Sequence, residues 1–242
     1  MLSRFANPHR FMVLSKWLLP TFAVIGLIML VSGWVWALYF VPEERYQGAT
    51  ARIMYIHVPA AVIGMMAYGL MALGSLLYLI LKHTLADVAA KAAAPTAAAL
   101  TIICLATGSL WGRPTWGTYW IWDARLTSML FQLFLILGYM ALRSAYSRET
   151  EAARAGAILC LVGAINLPII KFSVDWWNTL HQPAGFLTLG GSSLAAEFFW
   201  PLLYNLIGMS FVFGALLMAS MRADVLKRQY DAALARLNRS SQ

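Results

Sequence analysis

Charged side chains are scarce in this chain of 242 residues. They make up 12% of the sequence, about half the share of roughly 25% that is usual for soluble domains. Apolar residues reach 61%, against roughly 45–50% in ordinary globular proteins. A water-soluble enzyme, a disordered chain and a nucleic-acid-binding domain are therefore poor interpretations, although the net charge is +8. The composition predicts a protein whose main solvent is lipid.

Motifs of the common catalytic and metal sites are also missing. The two cysteines, Cys104 and Cys160, stand alone and mid-membrane, without a Cys-x-x-Cys or Cys-x-x-Cys-His pattern, and we expect both to pack as small apolar residues. The sequence contains no His-Glu-x-x-His zinc motif and no Gly-x-Ser-x-Gly nucleophile motif. We therefore predict no hydrolytic or redox active site belonging to this chain itself.

Six long apolar stretches are present, and a membrane-crossing helix needs about 20 such residues. They predict an all-α fold, a polytopic bundle of six transmembrane helices that forms a single integral membrane domain. The fifth stretch is short for a span. The predicted spans cover about residues 17–40, 54–81, 92–110, 126–142, 155–170 and 198–221.

The distribution of Lys and Arg predicts the orientation of this bundle. With both termini on one side, 13 of the 18 basic residues fall on that side, so the positive-inside rule places the termini in the cytoplasm. The basic charge is then explained by topology and anionic lipid, and no nucleic-acid partner is needed. In the cytoplasmic tail, 222–242, Leu226, Tyr230, Leu234 and Leu237 have helical spacing. This pattern fits a helix on the membrane or on a partner, and equally a solvated basic tail.

Tryptophan is distributed unevenly between the two predicted sides. Only Trp17 falls on the cytoplasmic side, whereas nine of the ten tryptophans fall on or near the outer side. Residues 111–122 alone carry five aromatic rings, interrupted by two glycines and a proline. Such rings are typical of an interfacial belt, but the one-sided distribution favours a loop over 111–125 that acts as a platform for a flat apolar ligand.

Two histidines share this outer side and come from different segments. His57 begins the second span and His181 follows Trp176 and Trp177. Porphyrin iron takes axial imidazoles, its macrocycle stacks on indole rings, and its propionates need cations. Arg52 and Arg125 are available at the outer ends of spans two and four, with Asp123 as an orienting partner for Arg125. These residues predict haem held without thioether bonds.

The motif over 111–123 resembles the tryptophan-rich "WWD" signature of the haem-handling protein family. With residues 52–61, 111–128 and 166–182, nearly the whole chain is similar to the cytochrome c maturation protein C family. This resemblance implies that His57 and His181 are the axial ligands of haem b. It also implies that Trp111, Trp116, Trp120, Trp122 and Asp123 form the haem platform. Arg52 and Arg125 as propionate partners follow from charge and position alone.

The resemblance further implies a place in a multi-component system. Members of the family bind haem b at the periplasmic face of the bacterial inner membrane. They pass it to a membrane-anchored haem chaperone, the E component, in the presence of a small D subunit. An ABC transporter made of A and B components hydrolyses ATP and drives release of the loaded chaperone. Segment 183–197, with Gly190 and Gly191, is less like the family, so its role stays open.

Two other classes of membrane protein fit the sequence less well than a haem-transfer protein. A b-type cytochrome, the electron-transfer subunit of an oxidoreductase, usually carries its histidines inside the spans, and no span interior here contains one. A channel or transporter would need polar residues along its spans. Asn166 alone makes a poor pathway, and packing between helices is its expected role.

Overall fold

Apolar residues with helical periodicity form seven α-helices over the part of the chain that the computed structural model describes, residues 7–181, 185–186 and 191–240. No strand occurs in these residues. A π-helical segment, Trp36–Phe40, extends α1, and a 3₁₀ segment, Ala49–Ile53, leads into α2. The helices are α1 (Pro8–Val35), α2 (Met54–Leu81), α3 (Thr84–Trp116), α4 (Ala124–Ala145), α5 (Glu149–Gly163), α6 (Asn166–Trp176) and α7 (Ala196–Ser240).

Six helical stretches are long and apolar enough to cross a membrane, which confirms the predicted six-span, all-α architecture. The fifth stretch, Glu149–Trp176, consists of α5 and α6 in succession. A break at residues 164–165 separates them. The predicted span of 155–170 was short because it covered only parts of these two helices. Asn166 begins α6, and its side-chain amide donates to the Ser128 carbonyl and to Gln132 Oε1, at 2.8 and 3.0 Å. It thus joins α6 to α4, as expected.

Small residues allow the helices to approach one another closely. α2 packs along α3, where the buried alanines of α3, Ala90, Ala93 and Ala97, meet Ala67 and Tyr68 of α2. α1 packs chiefly along α7, and α4 contacts α3, α5 and α6. Close backbone approach at small side chains is the usual basis of helix association in membranes, where lipid is as apolar as the helix surfaces.

The two ends of the bundle differ in chemistry. α1, α3 and α6 finish, and α2, α4 and α7 begin, at what we call the tryptophan end. The opposite end holds a network of ion pairs across α3, α4, α5 and α7, centred on Arg143 and Asp87, both of which are buried. Arg143 Nη2 donates to Asp87 Oδ2 at 3.1 Å and to Glu149 Oε1 at 2.7 Å. The network also contains Lys91, Asp224 and Arg228.

Helix α7 continues past the predicted end of the sixth span at residue 221 without interruption. The predicted cytoplasmic tail is therefore helical through Ser240. Leu226, Tyr230, Leu234 and Leu237 are exposed on this extension. Helical spacing in the tail is confirmed by this finding.

Candidate haem site

His57 lies in the first turn of α2 and is held against α3. Its Nδ1 atom is 3.0 Å from the Cys104 carbonyl oxygen and 3.1 Å from Thr107 Oγ1. A backbone carbonyl can only accept a hydrogen bond, so Nδ1 carries the hydrogen and Nε2 keeps its lone pair. No hydrogen bond joins this Nε2 to a described residue. A neutral imidazole with an unused Nε2 is the form that ligates a metal.

The absence of a side chain at Gly108 leaves room for the His57 ring against α3. A Cβ atom at residue 108 would lie 2.9 Å from His57 Cε1, closer than ordinary van der Waals contact. One turn further along α3, the Trp111 ring meets the His57 ring edge to face, with centroids 5.7 Å apart. Trp111 is itself fixed because its Nε1 donates to Gln47 Oε1 at 2.8 Å. The His57 ring is thus confined by α3 on one side and by an indole on another.

Replacing Gly108 with alanine is expected to weaken haem binding about tenfold, because the added methyl group displaces the His57 ring and overpacking costs about 1–3 kcal/mol. A visible-absorption titration of the purified variant with haem measures the affinity. Gly64→Ala is the matched control, since a Cβ there is 3.5 Å from Leu100 Cβ across the same α2–α3 interface. Equal haem affinity in Gly108→Ala and wild type would contradict this account of the His57 position.

His181 follows α6 and is oriented by an acidic side chain. Its Nδ1 atom is 2.8 Å from Asp123 Oδ2, while Asp123 Oδ1 accepts from the Leu126 backbone N–H and caps the start of α4. Burial lowers the pKa of the His181 imidazole, and the Asp123 carboxylate opposes this effect. His181 is therefore neutral at pH 7 and donates from Nδ1, which leaves Nε2 unprotonated. The Trp116 ring contacts it edge to face, with centroids 4.6 Å apart.

The structure brings the two predicted histidines to the same end of the bundle. His181 and Arg125 both lie within electrostatic range of His57, and Arg125 also acts on His181. Each imidazole uses Nδ1 for a partner within the protein and has its own tryptophan against the ring. Two histidines separated by 124 positions are thus oriented in the same way at one end of the bundle.

The tryptophan motif differs from the loop that the sequence predicted over 111–125. Helix α3 runs through Trp116, so residues 111–116 are helical, and only 117–123 are irregular before α4 begins. The prediction was wrong because Pro114 lies in the last turn of the helix, where few further hydrogen bonds are lost. Gly117, with φ of 79°, then ends α3. This helical turn is what places Trp111 against His57.

The remaining tryptophans of the motif lie in the irregular segment. Trp120 is half-buried, and its Nε1 is buried without a hydrogen-bond partner among the described residues. Trp122 is 76% exposed, and its ring meets that of Trp120 edge to face at 5.4 Å. The segment therefore presents one indole to the interior and one to the surroundings.

The two arginines occupy the tryptophan end, and each has a hydrogen-bond partner within the protein. Arg52, in the 3₁₀ segment, donates from Nη2 to the Val41 carbonyl at 3.3 Å. Arg125 donates from Nε to Ser173 Oγ at 3.1 Å and from Nη2 to the Lys171 carbonyl at 3.4 Å. Asp123 is hydrogen-bonded to His181 and Leu126, and its charge acts on Arg125 without a hydrogen bond between the two side chains in the described residues. Asp123 is an N-cap, and its free oxygen points to the histidine.

Several supporting residues were not predicted from the sequence. Gln47 holds Trp111, Thr107 approaches His57, and Ser173 holds Arg125. Thr107 and Gly108 precede Trp111 by about one turn of the same helix. Their positions near the site could have been predicted if residues 111–116 had been assigned to a helix. Gln47 lies in an irregular segment at the tryptophan end, and no motif in the sequence around it indicates a role. Of the segment that follows His181, residues 182–184 and 187–190, including Gly190, lie outside the described residues.

The residues of this site suit a metal whose other coordination positions are filled by a macrocycle. Within the described ranges, no group of three or more His, Cys, Asp or Glu side chains is arranged to hold a bare metal ion. Both cysteines are buried free thiols. Two neutral imidazoles flanked by indoles match the two axial positions of a metal in a planar macrocycle. Fold and site together define a multi-pass helical membrane protein with a paired-histidine, tryptophan-rich site at one end.

Comparisons with known proteins narrow this class. Residues 1–236 match the family described as heme exporter protein C. Heme exporter protein C of Bradyrhizobium diazoefficiens is 54% identical over 224 residues, covering 93% of this chain and 85% of the relative. The Escherichia coli K12 protein of that name is 41% identical, with 93% and 91% covered. That of Paracoccus denitrificans is 40% identical, with 98% of each chain covered. The chain therefore belongs to the heme exporter protein C family.

Proposed function

We propose that this protein holds haem b at the periplasmic face of the bacterial inner membrane and delivers it for cytochrome c maturation. The recipient is a membrane-anchored haem chaperone, the E component. The protein acts with a small D subunit and with the A and B components of an ABC transporter that hydrolyses ATP. Haem is the cargo in this proposal, and the protein is a transport component without a catalytic site.

The observation that carries the proposal is the matched preparation of His57 and His181. In each ring Nδ1 is engaged, by the Cys104 carbonyl or by the Asp123 carboxylate, and Nε2 has no hydrogen bond to a described residue. Partners of this kind fix the tautomer and orientation of metal-binding histidines. The name of the relatives, heme exporter protein C, supports iron porphyrin as the bound group.

The surrounding polar atoms also fit haem. Arg52 Nε and Trp120 Nε1 are buried hydrogen-bond donors without partners among the described residues. A haem propionate would supply the acceptor that such donors require. The neighbouring indoles of Trp111, Trp116 and Trp122 supply apolar surface for the macrocycle. In this assignment the protein binds and orients haem through its own side chains, and haem supplies the iron that the imidazoles ligate.

Placement at the helix ends favours transfer over permanent retention. Both histidines lie at the tryptophan end and neither lies in the middle of a span, and Trp122 at the same end is largely exposed. A bound porphyrin would therefore have an edge that a second protein can reach. A b-type cytochrome, by contrast, keeps haem between its spans for electron transfer.

The decisive experiment is transfer of haem to the chaperone. Haem-loaded protein in lipid nanodiscs, with the D subunit, is mixed with the haem-free chaperone, and the haem content of each is measured after separation. We expect haem to move to the chaperone. Retention of all haem, together with rapid reversible reduction by a quinol, would contradict the proposal and identify an electron-transfer subunit.

Replacing Arg125 with alanine is expected to lower haem occupancy about tenfold, because a charged hydrogen-bond partner of a propionate is lost. Haem content per protein and the melting temperature are measured on the same purified sample. Arg45→Ala is the control, since Arg45 is an exposed arginine at the same end and stacks only on Tyr46. Unchanged occupancy in Arg125→Ala would reject propionate binding, and a loss of folded protein alone would assign Arg125 to the α4–α6 contact.

A further inference from the structure

Buried hydrogen-bond donors without acceptors accumulate at the tryptophan end. In addition to Arg52 Nε and Trp120 Nε1, the Trp34 indole N–H and the Tyr55 hydroxyl are buried and lack partners among the described residues. A buried donor without a partner costs about 1–3 kcal/mol, so such groups are rare in native proteins. All four of these groups are able to donate.

Arg52 and Tyr55 are the two of these four that lie nearest each other in the sequence. They are three residues apart where the 3₁₀ segment passes into α2, and this spacing places side chains on the same face of a helix. The charge of Arg52 acts directly on Tyr55. Because Arg52 Nη2 is anchored on the Val41 carbonyl, its Nε remains for another acceptor. One anion would satisfy both donors.

The described residues of the protein do not provide that anion. Glu197 is the carboxylate within electrostatic range of Tyr55, yet it is exposed and forms no hydrogen bond with Tyr55 or Arg52. Tyr55 is only 2% exposed and lies in the apolar cluster that includes Val41, against which Trp34 and Phe198 pack. Water is therefore largely excluded from the hydroxyl, and a charged acceptor there would be strongly held.

Tyr55 and His57 face different ways from the same helical turn. Two residues along an α-helix correspond to a rotation of about 200°, so Tyr55 points away from the side of α2 on which His57 contacts α3. The propionates of haem project from the edge of the macrocycle, away from the iron. Donors set apart from the ligating imidazole are where such a carboxylate would be received.

We propose that the Tyr55 hydroxyl and Arg52 Nε together bind one propionate carboxylate of haem, and that Tyr55 makes the site select porphyrins with a free carboxylate. This inference rests on the proposed function, since it assumes that haem is the cargo. It adds a residue that the tryptophan motif and the histidines do not point to. An anionic lipid headgroup is the other source of an anion at this depth.

The test compares haem with its dimethyl ester, in which the carboxylates are masked and the iron and macrocycle are unchanged. Wild type, Tyr55→Phe and Tyr68→Phe in nanodiscs are titrated with each compound and followed by visible absorption. Tyr68→Phe is the matched control, because it removes an equally buried hydroxyl from the same helix, one that donates to the Cys160 carbonyl at 3.1 Å. Melting temperatures of the three proteins confirm that each is folded.

We expect wild type to prefer haem over the diester, and Tyr55→Phe to lower that preference about tenfold while the affinity for the diester stays constant. Tyr68→Phe should keep the wild-type preference. An unchanged preference in Tyr55→Phe would overturn the inference. Equal binding of both compounds by wild type would overturn it too, and binding of phosphatidylglycerol that Tyr55→Phe weakens would then assign the donors to lipid. Absence of any porphyrin binding would instead refute the proposed function.

Discussion

Replacing both His57 and His181 with alanine is expected to abolish the paired-imidazole absorption bands of the haem-loaded protein and to lower its haem occupancy by at least about a hundredfold. Both imidazoles present an unprotonated Nε2, and no third side chain in the described part of the site offers a comparable ligand. The measurement is the visible spectrum of oxidised and reduced protein, with haem content determined on the same sample.

Each single variant sharpens this result. His57→Ala and His181→Ala should each leave iron with one protein ligand, which gives a high-spin spectrum distinct from that of wild type. His9→Ala is the control, because His9 is an exposed histidine in the first turn of α1, at the opposite end of the bundle. A double variant that retains the wild-type bands would show that other side chains ligate the iron.

Replacing Asp123 with asparagine is expected to weaken haem binding about ten- to hundredfold, the usual effect of losing a group that orients a metal-bound histidine. Asparagine caps helices about as well as aspartate, so α4 keeps its N-cap. What is lost is the negative charge 2.8 Å from His181 Nδ1, which makes the imidazole a stronger electron donor. Haem affinity and the reduction potential of the bound haem are both measured, and we expect the potential to rise.

The control for this variant is Asp175→Asn. Asp175 is an exposed carboxylate on α6 at the same end, so its loss changes the net charge equally without touching His181. An Asp123→Asn protein whose haem affinity and potential match those of wild type would show that the carboxylate serves only as the cap of α4.

Long apolar stretches were sufficient to predict the bundle. The one-sided tryptophans indicated the end of the bundle where the structure places both His57 and His181. Helices that must satisfy their backbone within lipid leave few alternatives, so six apolar stretches translate directly into six spans. His57 and His181 could be paired because topology assigned both to one side. These inferences depend on the average properties of long segments, which single residues do not alter.

Individual contacts were beyond what the sequence could predict. Asp123 stands two positions from Arg125, but its capping geometry turns one oxygen toward His181, which is 58 positions away. Gly112 and Pro114 indicated a loop, yet the last turn of α3 tolerates them because Gly117 supplies the helix end. The ion pair between Asp87 and Arg143 joins residues 56 positions apart. The sequence indicated Arg143 only as one of the basic residues that predict orientation. The Asp123 and Asp87 contacts depend on long-range partners, whereas the helix end at Gly117 is local.

Helix α7 gives the molecule one further property. Its 45 residues form a continuous helix of about 68 Å, with Phe198 against the Tyr55 cluster near its start and Asp224 and Arg228, in its second half, in the ion-pair network. A tilt of about 5° around its midpoint moves each end by about 3 Å in opposite directions, which is as long as a hydrogen bond. A displacement of the exposed C-terminal part of α7 would therefore be transmitted along one continuous helix to the cluster around Tyr55.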